Sequence, residues 1–252
     1  MNIELPFIPN RPSKPRNEGL TMVMDKGLSL KGAESFCEAA SEYADLLKLG
    51  FGTSVLTPNL KEKIKIYKAA GIRPYFGGTL FEVFIARNMF DEYRRFLSEN
   101  GIETAEVSDG VLPVEHDVKC QYIQKLSKDF VVLSEVGSKL KGREISNEEW
   151  INCMKTELQA GAWKVIAEAR ESGNIGIYNS DGSANISLID DIRNQIKTDQ
   201  ILWEAPIKNQ QVWFIKLLGS NVNLGNISHD EVIALETLRL GLRGDTLLDF
   251  LP

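Results

Sequence analysis

Apolar residues fall along this chain in short runs, separated by longer stretches in which apolar and charged residues mix. Eight of the runs read as strands, because a few consecutive apolar or β-branched residues between turn signals are what a strand covered on both faces requires. They begin near Leu20, Ala44, Ile72, Thr104, Phe130, Ala162, Gln200 and Asn221. Each is followed by a helical pattern, and the units recur every thirty residues or so, roughly the length of a βα repeat. The punctuation agrees. Thr57 before Pro58 predicts an N-cap with proline at the first helical position. Ser146 with Glu149, and Ser228 with Glu231, predict capping boxes. Gly71 and Gly101 stand where a helix end calls for a left-handed residue.

Eight βα units in 252 residues, with no Gly-rich dinucleotide turn after the first strand, predict a single-domain α/β fold. The expected form is a closed (β/α)8 TIM barrel rather than an open, doubly wound sheet. Segment 1–18, punctuated by Pro6, Pro9, Pro12 and Pro15, is expected to be an irregular N-terminal arm, with the barrel domain over 19–252.

Composition changes this picture only by exclusion. A net charge of -6 argues against a nucleic-acid partner but leaves room for a local basic cluster that binds an anion. The cysteines, Cys37, Cys120 and Cys153, are far apart and form no CxxC pair, which argues against a disulfide framework and against a thiolate zinc site. A reduced, cytoplasmic protein is expected. No stretch reaches the roughly 18 apolar residues of a membrane span, and the first residues lack the apolar centre of a secretory signal. No GxSxG elbow is present. His116 and His229 read as surface or capping residues.

In such a barrel the chemistry sits at the C-terminal ends of the strands. Side-chain parity then says which groups share a face. In strand six Lys164, Ile166, Glu168 and Arg170 share one face, while Trp163, Val165 and Ala167 share the other, so the mixed face is expected to point inward. The same parity brings in Lys48 on strand two, Glu106 with Ser108 on strand four, and Glu135 on strand five. Glu106, Glu135, Glu168 and Glu204 lie on consecutive strands and would repel one another unless compensated. Oxygen donors on rigid strands suit Mg2+. The plainer possibility is a set of structural ion pairs with Lys48, Lys164 and Arg170. The run Asn223-Leu224-Gly225-Asn226-Ile227-Ser228, read as the loop after strand eight, is expected to hold a phosphate at the start of the last helix.

The strand-end segments, taken together, resemble the phosphosulfolactate synthase family. They are Met22-Val-Met-Asp-Lys-Gly27, Lys48-Leu-Gly-Phe-Gly-Thr53, Gly77-Gly-Thr-Leu-Phe-Glu82, Glu106-Val-Ser-Asp-Gly110, Leu133-Ser-Glu-Val-Gly-Ser-Lys139, Glu168-Ala-Arg-Glu-Ser-Gly173, Trp203-Glu-Ala-Pro206 and Asn221-Val-Asn-Leu-Gly-Asn226. The resemblance implies a magnesium-dependent lyase that adds sulfite to C3 of phosphoenolpyruvate, giving (2R)-phosphosulfolactate for sulfonate (coenzyme M-type) biosynthesis. It also implies a homo-oligomer, with a trimer as one form. On this reading Glu106, Glu135 and Glu168 hold the metal, with Glu204 as the next candidate ligand. Lys139 protonates C2, and Lys48 pairs with a glutamate or neutralises substrate charge. Lys26 and Arg170 hold sulfite or phosphate, and Asn223, Gly225 and Asn226 hold the phosphate end. Two other readings stay open: a Schiff-base, aldolase-like enzyme using an inward Lys164, and a non-enzymatic, stress-associated member of the same barrel family.

Overall fold

Eight parallel strands close on themselves in chain order in the computed structural model, which describes residues 2–137 and 145–252. They are β1 (Thr21–Asp25), β2 (Leu46–Leu49), β3 (Arg73–Phe76), β4 (Thr104–Val107), β5 (Val131–Val136), β6 (Lys164–Ala167), β7 (Ile201–Glu204) and β8 (Leu224–Ser228). Between and after them run α1 (Leu30–Ala40), α2 (Leu60–Ala69), α3 (Gly78–Ile85), α4 (Phe90–Glu99), α5 (His116–Leu126), α6 (Asn147–Gln159), α7 (Ile186–Gln195), α8 (Lys208–Leu218) and α9 (Val232–Arg239). The chain is thus a single-domain (β/α)8 barrel. Among the described residues no helix is long and apolar enough to cross a membrane.

Alternation along the strands sorts the core into two layers. Val23, Leu47, Val107, Val165 and Trp203 pack outward against the helices. Met22, Leu46, Tyr75, Leu133, Ile166 and Leu202 fill the barrel interior. Two residues further along the same inward faces come Lys48, Glu135, Glu168 and Glu204. An apolar floor therefore lies directly beneath a charged upper layer, and the interior is packed rather than hollow.

Of the expected caps, the serine half of one capping box and both glycine ends are present. Ser146 Oγ accepts from the Glu149 N–H, and Gly71 and Gly101 have φ of 69° and 68°. The other two caps are replaced. Helix α2 starts at Leu60 behind a left-handed Asn59, and the Thr57 hydroxyl donates instead to the Thr53 carbonyl. Ser228 ends β8 and its hydroxyl bonds Asp230, so α9 begins without a side-chain cap.

The arm before β1 lies across the N-terminal end of the barrel. Arg11 bonds Glu236 at 2.9 Å, Asn221 Oδ1 at 2.6 Å and the Gly19 carbonyl. Arg16 forms a two-pronged pair with Asp45 at 2.9 Å on each prong, and both side chains are buried. Asp45 also accepts from the Thr21 N–H, so the pair joins the arm to the first strand. Arg16→Ala strands that carboxylate, and breaking a buried pair from one side costs about 3–5 kcal/mol. Urea unfolding should show a loss of this size with kcat unchanged, since the pair sits at the end of the barrel away from the site.

Candidate active site

The C-terminal ends of the strands surround a cavity of about 450 Å³ lined by Met24, Lys48, Glu135, Glu168, Arg170, Glu204 and Asn226 among others. Lys48, on the third residue of β2, reaches its centre. Its ammonium lies 2.9 Å from Glu106 Oε1, 3.3 Å from Glu135 Oε2 and 3.7 Å from Glu204 Oε1. Burial on its own would lower the Lys48 pKa, but Glu106, Glu135 and Glu204 overcome it and hold the pKa well above the usual lysine value. Lys48 therefore stays charged and acts as a fixed positive centre, not as a proton donor near neutrality.

Three of the four expected metal-binding glutamates converge. Glu135, Glu168 and Glu204, all buried, each offer an oxygen within 4.8 Å of the others. Glu204 is aimed by the Ala169 N–H, which donates to its Oε2 at 2.9 Å. An all-oxygen donor set on three adjacent strand ends, open to a cavity that admits water, fits a hard divalent cation such as Mg2+. Glu106 lies outside this group. Its Oε1 accepts from the Gly78 N–H at the start of α3 and from Lys48. Burial raises the Glu106 pKa, Lys48 opposes this, and Glu135 adds to it. Its place is under Lys48, holding the ammonium from below.

The anion-binding expectations divide. Arg170 lines the cavity. Lys26 stands at its rim, exposed and paired with Glu171, another lining residue. Asn226 also lines it, by an irregularity that parity does not foresee. Thr21 and Val23 of β1 pair with Leu224 and Ile227 of β8, so β8 carries one extra residue. Asn226 takes that position at φ 58°, turns into the cavity and donates to the Ala169 carbonyl at 3.2 Å. Gly225 lies lower, where an added Cβ would meet Met22 and Leu202 of the apolar floor. Asn223 belongs to the opposite end of the barrel. Its amide donates to the Asp199 and Ile201 carbonyls and accepts from the Leu20 N–H. The expected phosphate loop over 223–228 is thus corrected: strand eight begins about three residues later than its apolar pattern suggested, and most of that run is the strand itself. Lys139 lies outside the described residues.

Lys164 is a second correction. Its ammonium donates to the Asn17 carbonyl at 2.8 Å and to the Asp199 carbonyl, and lies over the Trp163 ring at 4.5 Å. These partners are at the arm end of the barrel, so Lys164 cannot meet a substrate at the strand tops. Burial lowers its pKa to about 8. Between that value and the unfolded lysine value of about 10.4 the unfolded chain binds more protons, so this group makes stability rise with pH. Lys164→Met should remove that upward slope from urea unfolding measured across the window, and borohydride with a carbonyl substrate should leave no trapped adduct.

Met24, Phe51, Thr79 and Ser172 also line the cavity and lie in the strand-end segments without an expected role, and Val111 lies outside those segments. Val111 is placed by Glu82 on α3, whose Oε2 accepts from the Val111 N–H at 2.9 Å and the Leu112 N–H at 2.5 Å, while Oε1 accepts from Ser108. The one hint in the sequence is a lone carboxylate inside the apolar run Leu80-Phe-Glu-Val-Phe84. Residues after Glu168 double back over the cavity through bridges Ala169–Gly176 and Tyr178–Ala184. A Cβ at position 176 would lie 1.9 Å from the Glu168 carbonyl oxygen, so only glycine permits this crossing.

Residues 9–245 match the family model described as (2R)-phospho-3-sulfolactate synthase (ComA). A phosphosulfolactate synthase of Bacillus subtilis is 44% identical over 243 residues, covering 95% of this chain and 96% of its own. One from Methanothermobacter thermautotrophicus is 42% identical, covering 95% of each. The protein HEAT-STRESS-ASSOCIATED 32 of Arabidopsis thaliana is 22% identical, covering 91% of this chain and 88% of its own.

Proposed function

Given that the chain belongs to the (2R)-phospho-3-sulfolactate synthase family, we propose that it is a phosphosulfolactate synthase that adds sulfite to phosphoenolpyruvate with Mg2+. One observation carries the reading beyond the family: the Glu135, Glu168 and Glu204 oxygens gather beside Lys48 and Arg170 in a single cavity at the strand ends. The stress-associated alternative has less support, since the likeness on that side is 22% against 42–44% for the synthases.

In the reaction the sulfite sulfur forms a bond to C3 of phosphoenolpyruvate. The C2–C3 π pair moves toward C2 and the carboxylate, and C2 then takes a proton. Charge thus develops at the substrate carboxylate, and fixed positive groups aimed there lower the barrier. Glu135, Glu168 and Glu204 would hold Mg2+, which when bound supplies a cation for that carboxylate. Lys48 keeps Glu135 and Glu204 ordered and adds a permanent positive charge below the substrate. Arg170 presents a planar fork matched to a tetrahedral or pyramidal oxyanion. Asn226 offers an amide, and Lys26 adds charge at the mouth. We assign the proton for C2 to Lys139 on sequence grounds.

The test mixes the protein with phosphoenolpyruvate, sulfite and Mg2+ and follows the new sulfonate by NMR. Absence of product with and without metal sinks the assignment. If product forms, Lys139→Ala should lower kcat by about 10²–10⁴-fold, the contribution of a positioned acid; unchanged kcat removes Lys139 from the role. The proposal includes a homo-oligomer. It is supported by Val55 and Leu56, 61% and 85% exposed in the loop after β2, and sedimentation velocity tests it.

A further inference from the structure

Helices α5 and α6 lie side by side, and each carries two metal-capable side chains one turn apart: His116 and Cys120 on α5, Cys153 and Glu157 on α6. Residues four apart share a helix face. The packing of the two helices brings a nitrogen of His116, the sulfur of Cys153 and an oxygen of Glu157 within 4.8 Å of one another. This cluster contains none of the cavity-lining glutamates.

The hydrogen bonds around His116 fix its direction. Its Nε2 lies 2.6 Å from the Thr156 hydroxyl, which already donates its own proton to the Asn152 carbonyl at 2.8 Å. Nε2 also meets Cys120 Sγ at 3.5 Å, and the tautomer with the hydrogen on Nε2 serves both contacts. The bare Nδ1 lone pair then faces Glu157 Oε1 across 3.7 Å. Glu157 Oε1 already takes the Lys119 ammonium at 2.8 Å; in this tautomer no hydrogen lies between it and Nδ1, which leaves a place for a cation. The spacing suits one. Tetrahedral zinc with bonds of 2.0–2.2 Å sets neighbouring N and O donors about 3.4 Å apart.

Charge points the same way. Glu157 is fully buried and shares the single ammonium of Lys119, at 2.8 Å, with Asp109, also at 2.8 Å. Lys119 gives its remaining bond to the Glu135 carbonyl, and Glu157 Oε2 takes the Ser134 hydroxyl at 2.6 Å. Two carboxylates on one ammonium make a network with a net negative charge at the inner wall of the cluster. On the outer side a shallow groove of about 380 Å³, lined by His116, Glu149, Asn152, Cys153 and Thr156, leads to solvent.

We propose that His116 Nδ1, the Cys153 thiolate and Glu157 form a second metal site, for zinc or a similar borderline divalent ion, with a groove water as the fourth ligand. The N/S/O donor set excludes Mg2+ as its preferred occupant. Thr156 is the outer partner that orients the ring, as metal-bound histidines require. On binding, Cys153 loses its thiol proton to solvent and its sulfur lone pair goes to the metal. No electron changes hands. The ion ties α5 to α6. Through Lys119 it touches the strand that carries Glu135.

Cobalt titration of the full chain, in reducing buffer containing Mg2+, tests this. The expected result is a thiolate-to-cobalt charge-transfer band that saturates near one ion per chain and is displaced by zinc. The active-site carboxylates, which include no sulfur, cannot give this band. Cys153→Ser and His116→Ala should abolish it, while Cys37→Ser and Glu168→Gln should keep it. Thr156→Val, close in shape, should weaken binding about 10–100-fold. Circular dichroism checks that each variant is folded, and Cys153→Ser should retain basal activity. A folded wild-type protein without the band, or a band that persists in Cys153→Ser, overturns the site.

Discussion

Lys48→Met is expected to abolish turnover and to lower stability by about 3–5 kcal/mol, the loss found when a buried ion pair is broken from one side. Methionine nearly matches the lysine stem, so the loss would come from charge and not from a hole. The ammonium touches Glu106, Glu135 and Glu204, and without it these buried carboxylates repel one another. Burial and Glu135 already raise the Glu106 pKa, and without the opposing ammonium it rises further above the unfolded value of about 4.3. The sign follows from proton counts. Below the raised pKa the folded variant binds protons that the unfolded chain does not, so its stability falls as pH rises through that window. The deficit relative to wild type should therefore be largest near neutrality and shrink toward about pH 5. Urea unfolding of both proteins at the two pH values measures it. An equal deficit at both would mean that Lys48 contributes packing rather than charge.

Glu168→Gln and Glu106→Gln are expected to part company. Glu168 belongs to the converging oxygens, so its amide should weaken Mg2+ binding in calorimetry and lower kcat by about 10²–10³-fold, the scale for losing one electrostatic group at a reacting centre. Glu106 lies beneath Lys48 and against the start of α3, outside that cluster. Its amide keeps the shape and can still accept from Gly78. Mg2+ affinity should stay within about twofold, while the pH profile of kcat shifts because Lys48 has lost one of its three carboxylates. If Glu106→Gln lost Mg2+ as completely as Glu168→Gln, the metal would have to be placed across all four glutamates.

The contrast between these two residues shows what sequence reasoning resolves. Strand parity placed Lys48, Glu106, Glu135 and Glu168 inside one barrel, because a period of two is a property of the backbone itself. Parity gives the face and not the height. Lys164 and Glu168 share a face, yet four residues of strand separate them by about 13 Å. One lies at the arm and the other at the cavity. Asn223 misled for a related reason. Its short polar neighbours read as a loop, whereas its amide stands in for ladder bonds where β7, β8 and β1 begin. The metal-capable cluster between α5 and α6 escaped notice because its members are paired across two helices. Separations of 33 residues or more between the halves leave no local motif such as CxxC.

The extra residue in β8 has a consequence for how this barrel can change by descent. Asn226 faces the cavity only because the strand holds one residue more than its neighbour. Loss of a single codon between Leu224 and Ile227 would restore an even ladder, keep the strand and the fold, and remove the Asn226 amide from the cavity wall in one step. Such an event would cost the stability of the Asn226–Ala169 hydrogen bond and would be visible to assays of the ligand. A lineage could thus abandon or retune its substrate without rebuilding its scaffold, and the length of this strand, counted across relatives, is the mark by which such a departure would be found.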